Sequence, residues 1–153
     1  MNQARVLVLG FLAACGGSDL SQEDTALAMA AMTAGVNHAE VAASASASGG
    51  SVTATATCTG GGSVSISGDW TDDESFSVDL VFAGCSEQGV TVSGDLHYQA
   101  TSTTSGLMVS MSMSGELSFS GQIEGDCEVD IDMAVSETAV TISGSMCGHD
   151  AAP

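Results

Sequence analysis

A chain of 153 residues that sets 19 Asp and Glu against a single cation, Arg5, carries a net charge of −18, and its length allows one small domain. Nucleic-acid binding needs Lys and Arg to displace the counterions of the phosphate backbone, and docking by charge on an anionic membrane face needs the same side chains, so both are excluded. Acidity of this kind keeps a protein soluble and favours a monomer.

Residues 1–14 read MNQARVLVLGFLAA, with Arg5 ahead of an apolar run from Val6 to Ala14. The run is too short for a spanning helix, which takes about 20 residues, and it fits the apolar region of an export signal. It ends Leu12-Ala13-Ala14-Cys15-Gly16. That order of an aliphatic residue, two small residues and a cysteine resembles the lipobox of bacterial lipoproteins. The resemblance implies removal of 1–14, a diacylglycerol on the Cys15 sulfur and acylation of the new amino terminus. Anchoring through several chains is firm where one chain alone is marginal. Gly16 after the anchor resembles an outer-membrane address, so the resemblance implies a cell-envelope protein on a lipid tether over 15–20. Arg5 lies in the leader and every acid after residue 15, so the processed chain would hold all the acids and no Lys or Arg.

Residues 21–50 read as a helix and a connector. Ser21 is the expected N-cap, with Glu23 and Asp24 in the first turn, where the helix dipole favours acids. From Thr25 to about Val41, Leu27, Ala30, Ala31 and Ala34 recur at helical spacing, as do Met29, Met32 and Val36. Gly35 is the position where a break is expected. So many small residues imply close packing against another element. Ala43 to Ser51 (ASASASGGS) reads as a flexible connector.

From Ser51 the period becomes two. Apolar residues alternate with Ser, Thr, Asp and Glu in seven segments centred on Ala54, Ile66, Val78, Leu96, Met113, Ile131 and Ile142. Turns are expected at Gly60–Gly62, Asp72–Glu74, Glu87–Gly89, Ser102–Gly106 and near Gly121. The pattern predicts a mainly β domain over 51–150, a seven-stranded antiparallel meander after one N-terminal helix. One face is apolar and must be buried. The helix is too small-surfaced to cover seven strands, so a curved sheet or open barrel with partial closure is expected. Gly68, Gly94, Gly115 and Gly144 recur within a Ser-Gly repeat and suggest bends or bulges. Such a domain resembles small envelope lipoproteins.

With Cys15 assigned to the lipid, four cysteines remain, and an even count in an exported chain reads as two disulfides. Of the three pairings that four cysteines allow, strand geometry favours Cys127–Cys147, which joins the start of the sixth strand to the end of the seventh. The two differ in strand parity, so a bulge or fray beside one of them is required. Cys58 and Cys85 form the remaining pair. No C-x-x-C motif and no close pair of histidines argues for redox or zinc chemistry.

Five carboxylates, Glu124, Asp126, Glu128, Asp130 and Asp132, alternate along one strand and share its face. They are the first candidates for a metal, and Asp72-Asp73-Glu74, in a turn, is a second acidic cluster of the same standing. They lack the glycine and terminal Glu of a calcium loop, so a solvated face and no metal is expected. Glycoside hydrolysis needs a desolvated acid in a cleft, which an outward strand does not supply. His38, His97 and His149 share no metal-ligand spacing, and Asp95 with His97 forms no recognisable triad without a G-x-S-x-G. Met111, Met113, Met133 and Met146 fall on the apolar register and are candidates for lining an apolar ligand site, since methionine adapts to varied apolar partners.

The expected function is an envelope protein with a structural or interaction role, no cofactor and no catalysis. A carrier for a lipid or other apolar ligand, and an acidic cation-binding module, are the alternatives. A carrier needs a cavity of roughly a few hundred Å³; a cation module needs carboxylates converging on one point.

Overall fold

The computed structural model describes residues 20–46, 50–71, 75–102, 108–136 and 138–151. The leader, the lipobox with Cys15, most of the tether, and the turn acids Asp72, Asp73 and Glu74 lie outside the described residues.

One helix, α1 (Gln22–Ser46), precedes eight strands: β1 (Ser51–Thr57), β2 (Ser63–Thr71), β3 (Ser75–Glu87), β4 (Val90–Ser102), β5 (Met108–Gly121), β6 (Gly125–Ser136), β7 (Val140–Met146) and β8 (His149–Asp150). They form one antiparallel sheet in the order β1 to β8, each strand paired with the next. The mainly β meander is as the alternation predicts, with one strand more than the seven expected. Cys147 (φ 51°) and Gly148 (φ 79°) turn the chain back, and His149 and Asp150 pair with Met146 and Ser145. The sheet stays open, with β1 and β8 at its edges. This is the open form of the expected curved sheet or open barrel: β1 and β8 do not pair with each other.

Helix α1 begins where the sequence places it. Ser21 Oγ accepts the Asp24 N–H at 3.1 Å and donates to Asp24 Oδ2 at 2.7 Å, which satisfies a free amide of the first turn. The helix is unbroken at Gly35 and runs through Ala43–Ser46, shortening the expected connector. Its buried stripe is Ala28, Ala31, Met32, Gly35 and Ala39, while Leu27 and Met29 are 44 % and 38 % exposed. The sequence pattern thus marks the right element and the close packing of its small residues, with Ala31 and Met32 buried as expected, but it does not single out Ala28 and Ala39 over Leu27 and Met29. Gly35 shows how close. A Cβ there would lie 3.0 Å from Phe82 Cε1 and 3.1 Å from Cys85 Sγ.

The period of two along β3 is interrupted once. Val78, Leu80 and Phe82 point inward, and then Ala83 and Gly84 together oppose the single residue Ser93. Gly84 takes φ +63°, a conformation that costs most side chains about 1–2 kcal/mol. This bulge switches parity, so Cys85 and Glu87 turn inward instead of outward. Beyond it, the Gly60–Gly62 turn folds onto the end of β3: Gly60 N–H donates to Ser86 O at 2.8 Å and Ser86 N–H to Gly61 O at 2.9 Å. A second parity break lies at Cys147, whose positive φ takes it out of the β7 alternation.

Two disulfides cap this end of the sheet. Cys58 bonds Cys85 and Cys127 bonds Cys147, each made possible by one of the two parity breaks. They close separations of 27 and 20 residues, and each contributes about 2–4 kcal/mol. Such bridges persist in oxidising compartments, so they point to an extracytoplasmic protein. Among the described residues, no helix is long and apolar enough to cross a membrane.

Candidate functional site

The apolar face is covered unevenly. The helix approaches β1, β2, β3 and β4 most closely, and it enters beside β8, where His149 Nε2 lies 2.9 Å from Leu20 O. The cross-strand register sorts the rest of the face into rungs. Leu96, Gly115, Val129 and Met146 form one, and its side chains are buried. Tyr98, Met113, Ile131 and Gly144 form the next inward-facing rung, then Ala100, Met111, Met133 and Ile142. The side chains of both are only half-buried. The outermost rung includes Val109, Val135 and Val140, of which Val140 is 60 % exposed. Burial falls rung by rung away from the disulfides, and among the described residues no second element lies over this part of the sheet.

Within it, Tyr98, Met111, Met113, Ile131 and Met133 line a shallow depression of about 160 Å³. The Tyr98 ring is held from two sides. Its hydroxyl reaches Met111 Sδ at 2.9 Å, and its edge meets Phe76 with ring centroids 5.6 Å apart at 67°. Three of the four methionines marked by the sequence therefore come together. The fourth, Met146, does not line the depression; its register places it opposite Val129 in the buried rung, where it is core.

The opposite face is acidic. Glu124, Asp126, Glu128, Asp130 and Asp132 are all exposed. Their cross-strand neighbours are mostly serines: Asp126 pairs with Ser118, Asp130 with Ser114 and Ser145, and Asp132 with Ser112 and Ser143. Carboxylates meet in one row only, where Asp95 opposes Glu116 and Glu116 opposes Glu128. That row borders an open groove of about 630 Å³ shared with Ser93, Ser118 and Asp126. The carboxylates do not converge: among the described residues, the one set of three or more His, Cys, Asp or Glu ligand atoms mutually within 4.8 Å is Cys58, Cys85 and Glu87.

The histidines take partners that the sequence reading did not assign. His97 Nδ1 lies 2.7 Å from Asp79 Oδ1 on the neighbouring strand, not against Asp95. His38 Nε2 lies 3.1 Å from Glu87 Oε1. Glu87, read from the sequence as a turn residue, is 5 % exposed and accepts the Thr59 N–H at 2.7 Å. Only the Ala83-Gly84 bulge brings it inward, and a glycine directly before a cysteine is a weak signal for that.

The class of protein that these features define is an open, disulfide-capped antiparallel meander with one helix on its apolar face. Compared with family models, with curated proteins and with solved structures, the chain has no match in any of the three.

Proposed function

We propose that this chain is an exported, lipid-tethered envelope protein that acts by interaction rather than catalysis, through the uncovered half of its apolar sheet face. The observation that carries the reading is the graded burial from the Leu96 rung to the Val140 rung. A monomer leaves an apolar area of this kind bare at a cost in solubility, and such patches mark interaction sites. The lipobox at Cys15 supplies the tether and the two disulfides suit the compartment.

Carriage of an apolar ligand is the second reading, favoured by the methionine lining of the depression. Its volume, about 160 Å³, is below the roughly 300–1,000 Å³ of pockets that enclose small molecules. A shallow seat for part of a partner suits that size better than an enclosed cargo.

Intact mass and membrane fractionation after expression in a bacterial host test the tether. The expected product has lost residues 1–14, carries acyl chains on Cys15, and becomes soluble in Cys15→Ser. A chain cleaved elsewhere and free of lipid would defeat that part of the proposal.

A further inference from the structure

Glu87 is the one buried charged side chain among the described residues, in a sequence whose single Lys or Arg is Arg5. Its carboxylate sits beside the Cys58–Cys85 disulfide, with ligand atoms of all three residues mutually within 4.8 Å. His38 Nε2 completes the group at 3.1 Å from Glu87 Oε1. The side chains come from α1, from the end of β1 and from the end of β3, and His38 is 41 % exposed, which opens the group to solvent on one side. Two sulfurs, an imidazole and a carboxylate are a donor set that zinc takes in tetrahedral sites, with bonds of about 2.3 Å to sulfur and about 2.0–2.2 Å to nitrogen and oxygen. Donor atoms in such a tetrahedron stand about 3–4 Å apart. The His38–Glu87 separation already matches, and since His38 lies outside the 4.8 Å set, the thiolates must turn toward it once their bond is broken.

We propose that Cys58, Cys85, Glu87 and His38 form a redox-gated site for a thiophilic divalent cation such as zinc, closed by the disulfide and opened by its reduction. A dithiol supplies two electrons and two protons. The Cys58–Cys85 bond breaks, both residues become thiols, and the dithiol closes to its own disulfide. The cation then displaces two thiol protons to solvent and is held by the two thiolates, a Glu87 oxygen and His38 Nε2. Its double charge offsets three anionic ligands in a place with no Lys or Arg. Among the described residues the Cys127–Cys147 disulfide has no comparable His or acid in reach, and it serves as an internal comparison.

The test uses the full chain carrying Cys15→Ser, reduced with a dithiol, freed of reductant under inert gas and titrated with zinc alone. Circular dichroism follows the fold, and cadmium, added separately, reports thiolate ligation by its ultraviolet absorption. One cation per reduced chain and none per oxidised chain is expected. Cys127→Ser/Cys147→Ser keeps the site and Cys58→Ser/Cys85→Ser loses it. Glu87→Gln and the more exposed His38→Gln each weaken binding by at least about 10-fold, in line with losses at metal sites. Equal uptake by Cys58→Ser/Cys85→Ser, unchanged affinity in both Glu87→Gln and His38→Gln, or a reduced chain that takes up no cation would overturn the proposal.

Discussion

Gly35 carries no side chain, and Phe82 and Cys85 explain why. Phe82 is buried in the core and Cys85 is fixed by its disulfide, so neither yields to a Cβ placed 3.0–3.1 Å away. Gly35→Ala would gain up to about 1 kcal/mol of helix propensity and lose about 1–3 kcal/mol to overpacking. The expected net effect is a destabilisation of about 1 kcal/mol, read as a lower denaturation midpoint with an unchanged slope. Glu87 gives a second prediction at this scale. Glu87→Ala removes the acceptor of the part-buried Thr59 N–H and should cost about 1 kcal/mol. Glu87→Gln keeps an acceptor oxygen and should cost less. Denaturant titrations of the two variants side by side check the order.

The strands differ in how readily they are read. The helix cap at Ser21, the meander and the inward register of Met111, Met113 and Met133 follow from local chemistry and from the period of two, which a sheet with one wet face imposes. What escapes that period is what depends on a break in it. The break at Cys147 follows from the parity mismatch with Cys127, but the bulge at Gly84 has no such signal, and it decides that Cys85 and Glu87 point inward. The helix stripe escapes for another reason: Ala28 and Leu27 are both apolar, and only the distance of the sheet chooses between them. The acidic face of β6 is legible from Asp126 onward, with Glu124 falling just ahead of the strand, and the structure adds how its charge is tolerated. Serines on β5 and β7 stand opposite Asp126, Asp130 and Asp132, so like charges are kept apart except at Asp95, Glu116 and Glu128. Like charges directly opposite on a sheet destabilise by roughly 0.2–1 kcal/mol. Glu116→Gln should therefore stabilise the protein by a few tenths of a kcal/mol at low salt, and the gain should shrink at high salt through screening. Thermal melts at two ionic strengths measure it.

At the scale of the molecule, both disulfides close one end of the sheet, and toward the other end the described part of its apolar face is bare. Stability and exposure are thus separated along the strands. Met113→Ser and Met133→Ser should cost less than about 1.5 kcal/mol because those side chains are only half-buried. A comparable truncation of Leu117, 2 % exposed, to Ala should cost about 2–5 kcal/mol. Chemical denaturation of the three variants tests the gradient directly.

The interaction reading rests on which face meets a partner, and a photoreactive side chain placed at Met133, on the bare apolar face, or at neighbouring Asp132, on the acidic face, reports that in the intact envelope. The account predicts a defined crosslinked product from position 133, with a mass that tells a protein from a lipid, and little or none from position 132. Equal products from both positions, or none from 133 in a folded and tethered chain, would contradict it.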